Sequence, residues 1–160
     1  MIKLPDFYPL EISPNVSICD LAKGFHFAHG VFCHIKDDNF PCAHLQSPIL
    51  GGILELDQEC TTSEVFQIIK YLSNKHNRNL CPGPAYEFVA YLKSLGTTPS
   101  LVPGFVYLAL GTVWQEQVLG YAVAEVRSEL LLANITNEDQ SGPWSPNCAK
   151  FFVIDQTPFE

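Results

Sequence analysis

Long apolar runs, basic clusters and paired-cysteine motifs are all missing from this 160-residue chain. The longest apolar stretches, 118–126 and 130–135, are interrupted or flanked by Gly120, Glu125, Arg127 and Glu129. Neither approaches the ~20 residues that a membrane span needs. Residues 1–20 hold Pro5, Pro9 and Pro14 and lack the basic start and apolar run of a secretory signal, which predicts a cytoplasmic protein. Lys and Arg number 9 against 17 Asp and Glu, a net charge of −8, and no basic cluster exceeds that between Lys75 and Arg78. Nucleic acid is therefore not a favoured partner, because the charge opposes its phosphate backbone. No internal repeat, low-complexity tract or linker occurs. What is present suits a globular protein: 47% apolar and 16% charged residues, in a chain whose length supports one core and one domain, residues 1–160. Six cysteines, at 19, 33, 42, 60, 81 and 148, are spread over a chain that can form a core without staples, which predicts free thiols.

Residues 1–16 are proline-rich and read as an extended leader on the domain surface without regular structure. From Gly24 to Lys36 aromatic and β-branched residues dominate, Asp37-Asp38-Asn39 signals a turn, and 40–45 resumes an apolar alternation, the pattern of a β-hairpin. A third strand is expected over 49–56, with Gly51-Gly52 marking a bulge or a close backbone approach. Thr61 and Glu64 have capping-box spacing, and Val65, Phe66, Ile68, Ile69, Tyr71 and Leu72 then give a helix one apolar face, to about Asn74. A second helix follows Gly83-Pro84, turns Ala85, Phe88, Val89 and Leu92 inward and stops at Gly96. Tyr86 and Tyr91 on it are expected to pack with their hydroxyls at the rim. Residues 105–113 read as a buried strand, 115–132 fit both helical and strand periods, and 151–154 form a last apolar cluster. The mixture without regular βαβ alternation predicts an α+β fold, a small antiparallel sheet with packed helices.

With Lys36 opposite Phe40 in the hairpin, His34 faces Cys42 and Phe32 faces His44. His26, His34, Cys42 and His44 then share one side and His29 takes the other, unless a bulge at Gly30 or a one-residue slip brings His29 onto the face of His44. Imidazole and thiolate are the usual zinc ligands, so His34, Cys42 and His44 with a fourth group form one candidate metal site. The bland alternative is a set of hairpin side chains hydrogen-bonded to backbone. Cys148, after Ser145-Pro146-Asn147, is a candidate nucleophile. Ser then Pro suits an N-cap and first helical position, and a thiol in the first turn of a helix is driven towards thiolate. An inert Cys is the competing reading.

His29-Gly30-Val31-Phe32, the turn Asp37-Asp38-Asn39 and His44-Leu45, followed far along the chain by Asn147-Cys148 and Phe151-Phe152, resemble the H-box and NC motif of the lecithin:retinol acyltransferase-like family. The resemblance covers about a quarter of the chain. It implies a papain-like or NlpC-like arrangement in which Cys148 is the nucleophile, His29 its general base, with His26 as rival, and His44 the orienting third group. It implies no cofactor. Gly30 stands where cellular members often carry an aromatic, Ala149 where they carry an acid, and no hydrophobic tail follows Cys148. In these respects the chain is more similar to the non-proteolytic H-box/NC 2A proteins of picornaviruses such as kobuviruses and parechoviruses. That resemblance implies a role in viral RNA replication, with a host protein or a replication membrane as partner. The cellular enzymes imply instead a thiol acyltransferase or phospholipase acting on phospholipid. Oligomeric state is open.

Overall fold

In the computed structural model the described residues are 2–12, 15–23, 25–27, 49–94, 101–114, 117–123, 128–134 and 143–157. Their elements in chain order are β1 (Phe7–Leu10), α1 (Ile18–Leu21), β2 (His26–Phe27), β3 (Ile49–Glu55), α2 (Thr62–Lys75), β4 (Leu80–Pro82), α3 (Ala85–Ser94), β5 (Val106–Trp114), β6 (Gln117–Val123), β7 (Ser128–Asn134) and β8 (Ala149–Asp155). The strands form one sheet in the order β1-β3-β8-β5-β6-β7-β2, with β4 also paired to β8. The fold is α+β, as the sequence predicts. Most pairings are antiparallel, but β5 runs parallel to β8 and β2 parallel to β7, so the sheet is mixed.

Alternation along the central strands sets two cores. Phe152 and Ile154 of β8, Tyr107 and Ala109 of β5, and Leu119 and Tyr121 of β6 pack with α1 and α3 on one face. Phe151, Val153, Leu108 and Val118 pack with α2 on the other. Successive strand residues point to opposite faces, and here both faces are covered. Leu119 and Tyr121 face one core and Val118 the other, so this part of β6 has no polar side, and a segment of this kind fits both periods. The structure resolves that ambiguity as two strands: β6 and β7 pair antiparallel from Gln117 opposite Asn134 to Val123 opposite Ser128.

Local chemistry shapes the helices as expected, with two differences. The Thr61 hydroxyl accepts from the Glu64 amide at 3.2 Å, and the Glu64 carboxylate accepts from the Thr61 amide at 3.5 Å, closing the capping box of α2. Val65, Ile69 and Leu72 are buried. Tyr71, expected on that face, is 60% exposed instead, because at about 100° per residue its position lies roughly 120° away from Val65. In α3 the burial is not one-sided: Ala85 to Leu92 are buried all round, including Tyr86, Glu87 and Tyr91. The Tyr86 hydroxyl donates to the carbonyl of Val16, an exposed residue of the leader.

Two contacts fix how chain segments cross. The Gly83 amide donates to the Phe152 carbonyl at 2.8 Å, and a Cβ on Gly83 would lie 1.9 Å from Phe152 Cδ2; only glycine lets the chain enter α3 so close to β8. The leader also departs from expectation. Residues 7–10 are regular, pairing with β3 as strand β1, Phe7 opposite Gly52 and Leu10 opposite Ile49. A Cβ on Gly52 would sit 2.6 Å from the Asp6 carbonyl oxygen, so this is the close approach the glycine pair signalled. Pro9 is tolerated because β1 is the sheet edge. At the far end of β8, the buried Asp155 carboxylate accepts from Arg78 Nε at 2.7 Å and from Arg78 Nη2, and from the Thr157 amide and hydroxyl at 2.8 and 2.5 Å, tying the end of α2 to the sheet.

Of the predicted hairpin over 24–45, only residues 25–27 are described. His26 and Phe27 form β2, alongside Glu129 and Leu130 of β7. Among the described residues no helix is long and apolar enough to cross a membrane.

Candidate functional site

Cys148 is exposed and immediately precedes β8. The expected helix at Ser145-Pro146 does not form. Residues 146–148 make a turn, and the chain then enters the sheet. The reason lies downstream. Phe151, Phe152, Val153 and Ile154 are each buried to within 1%, and they gain that burial as a strand held between β3 and β5. Tertiary pairing therefore overrides a short local helix signal.

Ser145 still organises the turn. Its hydroxyl accepts from the Asn147 amide at 3.2 Å, and its carbonyl accepts from both the Cys148 and Ala149 amides at 3.0 Å. The Cys148 carbonyl accepts from the Val106 amide at 2.8 Å, which opens the parallel β5–β8 pairing. Trp144 anchors the approach: its backbone bridges Cys60, its indole donates to the Thr62 hydroxyl at 2.9 Å, and its ring meets Phe151 edge-on at 6.0 Å.

The consequence for chemistry is specific. A thiol nucleophile needs backbone donors aimed at the oxyanion that forms beside it. The three consecutive amides at 147–149 all point back to Ser145. Cys148 also sits in a turn and not in the first turn of the helix expected from sequence.

Of the other predicted site residues, Asn147 is exposed beside Cys148 in the same turn, and His26 has only its backbone described, in β2. His29, Gly30, His34, Cys42 and His44 lie outside the described residues, and with them the Cys-His constellation and the zinc set of His34, Cys42 and His44. The described cysteines at 19, 60, 81 and 148 carry free thiols. Burial, then the Glu64 and Asp57 charges, push the Cys60 thiol up; burial and then Asp155 push Cys81 up.

Two residues beyond Cys148, Lys150 turns to the α3 side of the sheet. Its ammonium lies 2.6 Å from a Glu55 carboxylate oxygen and 4.5 Å from the Phe105 ring centroid. A groove of about 490 Å³ opens there, bordered by Lys150, Tyr8, Ile53, Tyr91, Leu101 and Tyr107. Sequence reasoning assigned Tyr91 to packing and gave no sign of this groove, since its walls come from positions as far apart as 8, 91 and 150. Comparison with protein-family models, with curated proteins and with solved structures found no match.

Proposed function

We propose that this protein is a non-catalytic binding module of H-box/NC character, serving viral RNA replication in the host cytoplasm by engaging a host protein or a replication membrane. The observation that carries the choice of binding over catalysis is the closed turn at Cys148. The amides of Asn147, Cys148 and Ala149 are engaged by Ser145, so the donors nearest the thiol are not available to a developing oxyanion, an effect worth about 10²–10³ in rate for one donor in enzymes that have it. The thiol also opens a strand rather than a helix. The motif spacing supports the H-box/NC character, and Ala149 and Gly30, standing where the cellular enzymes carry other residues, support the viral branch over the acyltransferase one.

The alternative is acyl transfer from a phospholipid to water or an amine, with Cys148 as nucleophile and His29 as base; the exposure of Cys148 favours it to the extent that a substrate can reach the sulfur. Incubating the pure protein with short-chain phosphatidylcholine and following fatty-acid release separates the two. A binding module gives no release above the Cys148→Ala background. Release that disappears in both Cys148→Ala and His29→Ala establishes the enzyme and removes the proposal.

A further inference from the structure

The groove beside Lys150 holds an arrangement that the Cys148 turn does not use. Tyr91, 3% exposed, and Tyr107, 1% exposed, border it, with Tyr8, 52% exposed, at the rim. The Tyr107 oxygen accepts from the Val102 amide at 2.8 Å, which directs its own proton elsewhere. Neither the Tyr91 nor the Tyr107 hydroxyl donates to any group among the described residues, and both tyrosines line the groove, so a ligand oxygen there can accept from them. Burial, then the neighbouring phenols of Tyr8 and Tyr107, push the Tyr91 hydroxyl up to about 12. It is therefore a protonated donor throughout the physiological range.

Charge decides what kind of acceptor fits. Lys3 and Lys150 face Asp6, Glu55 and Asp57 around the groove, and Lys150 is already held by Glu55 and the Phe105 ring. The surroundings are close to neutral with a slight negative excess, on a chain of net charge −8. An anionic ligand would lose free energy there, and a cation would leave both phenol protons without an acceptor. A neutral carbonyl oxygen has two lone pairs for two donors. Ile53, Leu56 and Leu101 supply apolar wall for the rest of such a molecule, and about 490 Å³ lies within the range of small-molecule sites.

We propose that this groove binds a small neutral amphipathic carbonyl compound, an amide or ester, whose oxygen accepts from the Tyr91 and Tyr107 hydroxyls while its apolar body lies against Ile53, Leu56 and Leu101. The site is independent of Cys148 chemistry and of whether that cysteine is catalytic.

Calorimetric titration of the wild-type protein with 4-phenylbutyramide, 4-phenylbutyrate and 4-phenylbutylamine tests it with one apolar body and three head groups. The amide is expected to bind most tightly, the acid next and the amine least. Tyr91→Phe should weaken amide binding about 3–10-fold, the loss of one neutral hydrogen bond, and leave the amine unchanged; Cys148→Ala should leave all three unchanged. Amine binding as tight as amide binding would overturn the proposal and make the groove a cation site. Absence of amide binding at about 10 mM, a level at which even a ligand held by only about 3 kcal/mol would be seen, or an unaltered affinity in Tyr91→Phe, would overturn it outright. The ligand series on the wild-type chain decides the matter even if a tyrosine variant folds poorly.

Discussion

Replacing Asp155 by Asn changes one atom and should cost the protein a large part of its stability. One carboxylate oxygen accepts from both the amide and the hydroxyl of Thr157, and the other accepts from Arg78 Nε and Nη2. The Asp155 side chain is 0% exposed and that of Arg78 36%. An Asn amide must present its –NH₂ to one side or the other, and donors wait on both: the guanidinium on one, the Thr157 amide on the other. Two charge-assisted bonds are lost at about 1.5 kcal/mol each, the lower end of their range because Arg78 is partly in water, so the expected loss is about 3 kcal/mol. Against a typical total of about 5–15 kcal/mol, that shifts a urea midpoint visibly at pH 7. The pH dependence adds a second signature. Burial alone would raise the Asp155 carboxyl, but the Thr157 hydrogen bonds and then Arg78 outweigh it and hold the group below the usual carboxylate range. A lowered folded-state value means the contribution is complete above the unfolded carboxylate value of about 3.9 and is lost as pH falls through the folded one. Urea unfolding of wild type and Asp155→Asn should therefore differ by about 3 kcal/mol at pH 7 and converge in strong acid. A difference under about 0.5 kcal/mol at pH 7, the ordinary scatter of surface substitutions, would refute the assignment of this clamp.

Three further outcomes follow from the same geometry. Thr61→Ala opens the capping box of α2 and should lower stability by about 1 kcal/mol, read by chemical denaturation, with Thr61→Ser restoring most of it. Gly83→Ala drives a methyl to 1.9 Å from the Phe152 ring, an overpacking that should cost at least about 1–3 kcal/mol or prevent soluble expression; an unchanged melting temperature would contradict the described path into α3. In the native protein the exposed thiols of Cys19 and Cys148 should react with a disulfide reagent well before Cys60, which is 1% exposed and whose thiol burial pushes up, and peptide mapping after brief labelling would show the order.

Legibility from the sequence tracked locality. Thr61, Glu64 and the apolar spacing that follows specify α2 within a few residues of one another, and the structure matches them closely. Gly83-Pro84 announced α3, but its burial on all sides depends on the sheet beneath it and on partners such as Val16, 70 positions from Tyr86. Ser145-Pro146 carried a real local preference, visible in the hydrogen bonds Ser145 still accepts, yet the four buried residues from Phe151 to Ile154 pair with strand residues 43 to 103 positions away and draw the chain into β8 first. The leader misled because proline suppresses regular structure except at an edge, and whether a segment is an edge is a property of the assembled sheet. The groove tyrosines at 8, 91 and 107 have no shared local pattern at all, so no reading of short motifs could have joined them.

The measurement that bears most directly on the binding role is intact-mass analysis of the protein after incubation with short-chain phosphatidylcholine, quenched in acid to preserve thioesters. A module whose amides at 147–149 are closed onto Ser145 accumulates no acyl adduct on Cys148 and releases no fatty acid. An acyl mass increment on wild type that maps to Cys148 and is absent from Cys148→Ala would contradict the account and make this turn the centre of an enzyme.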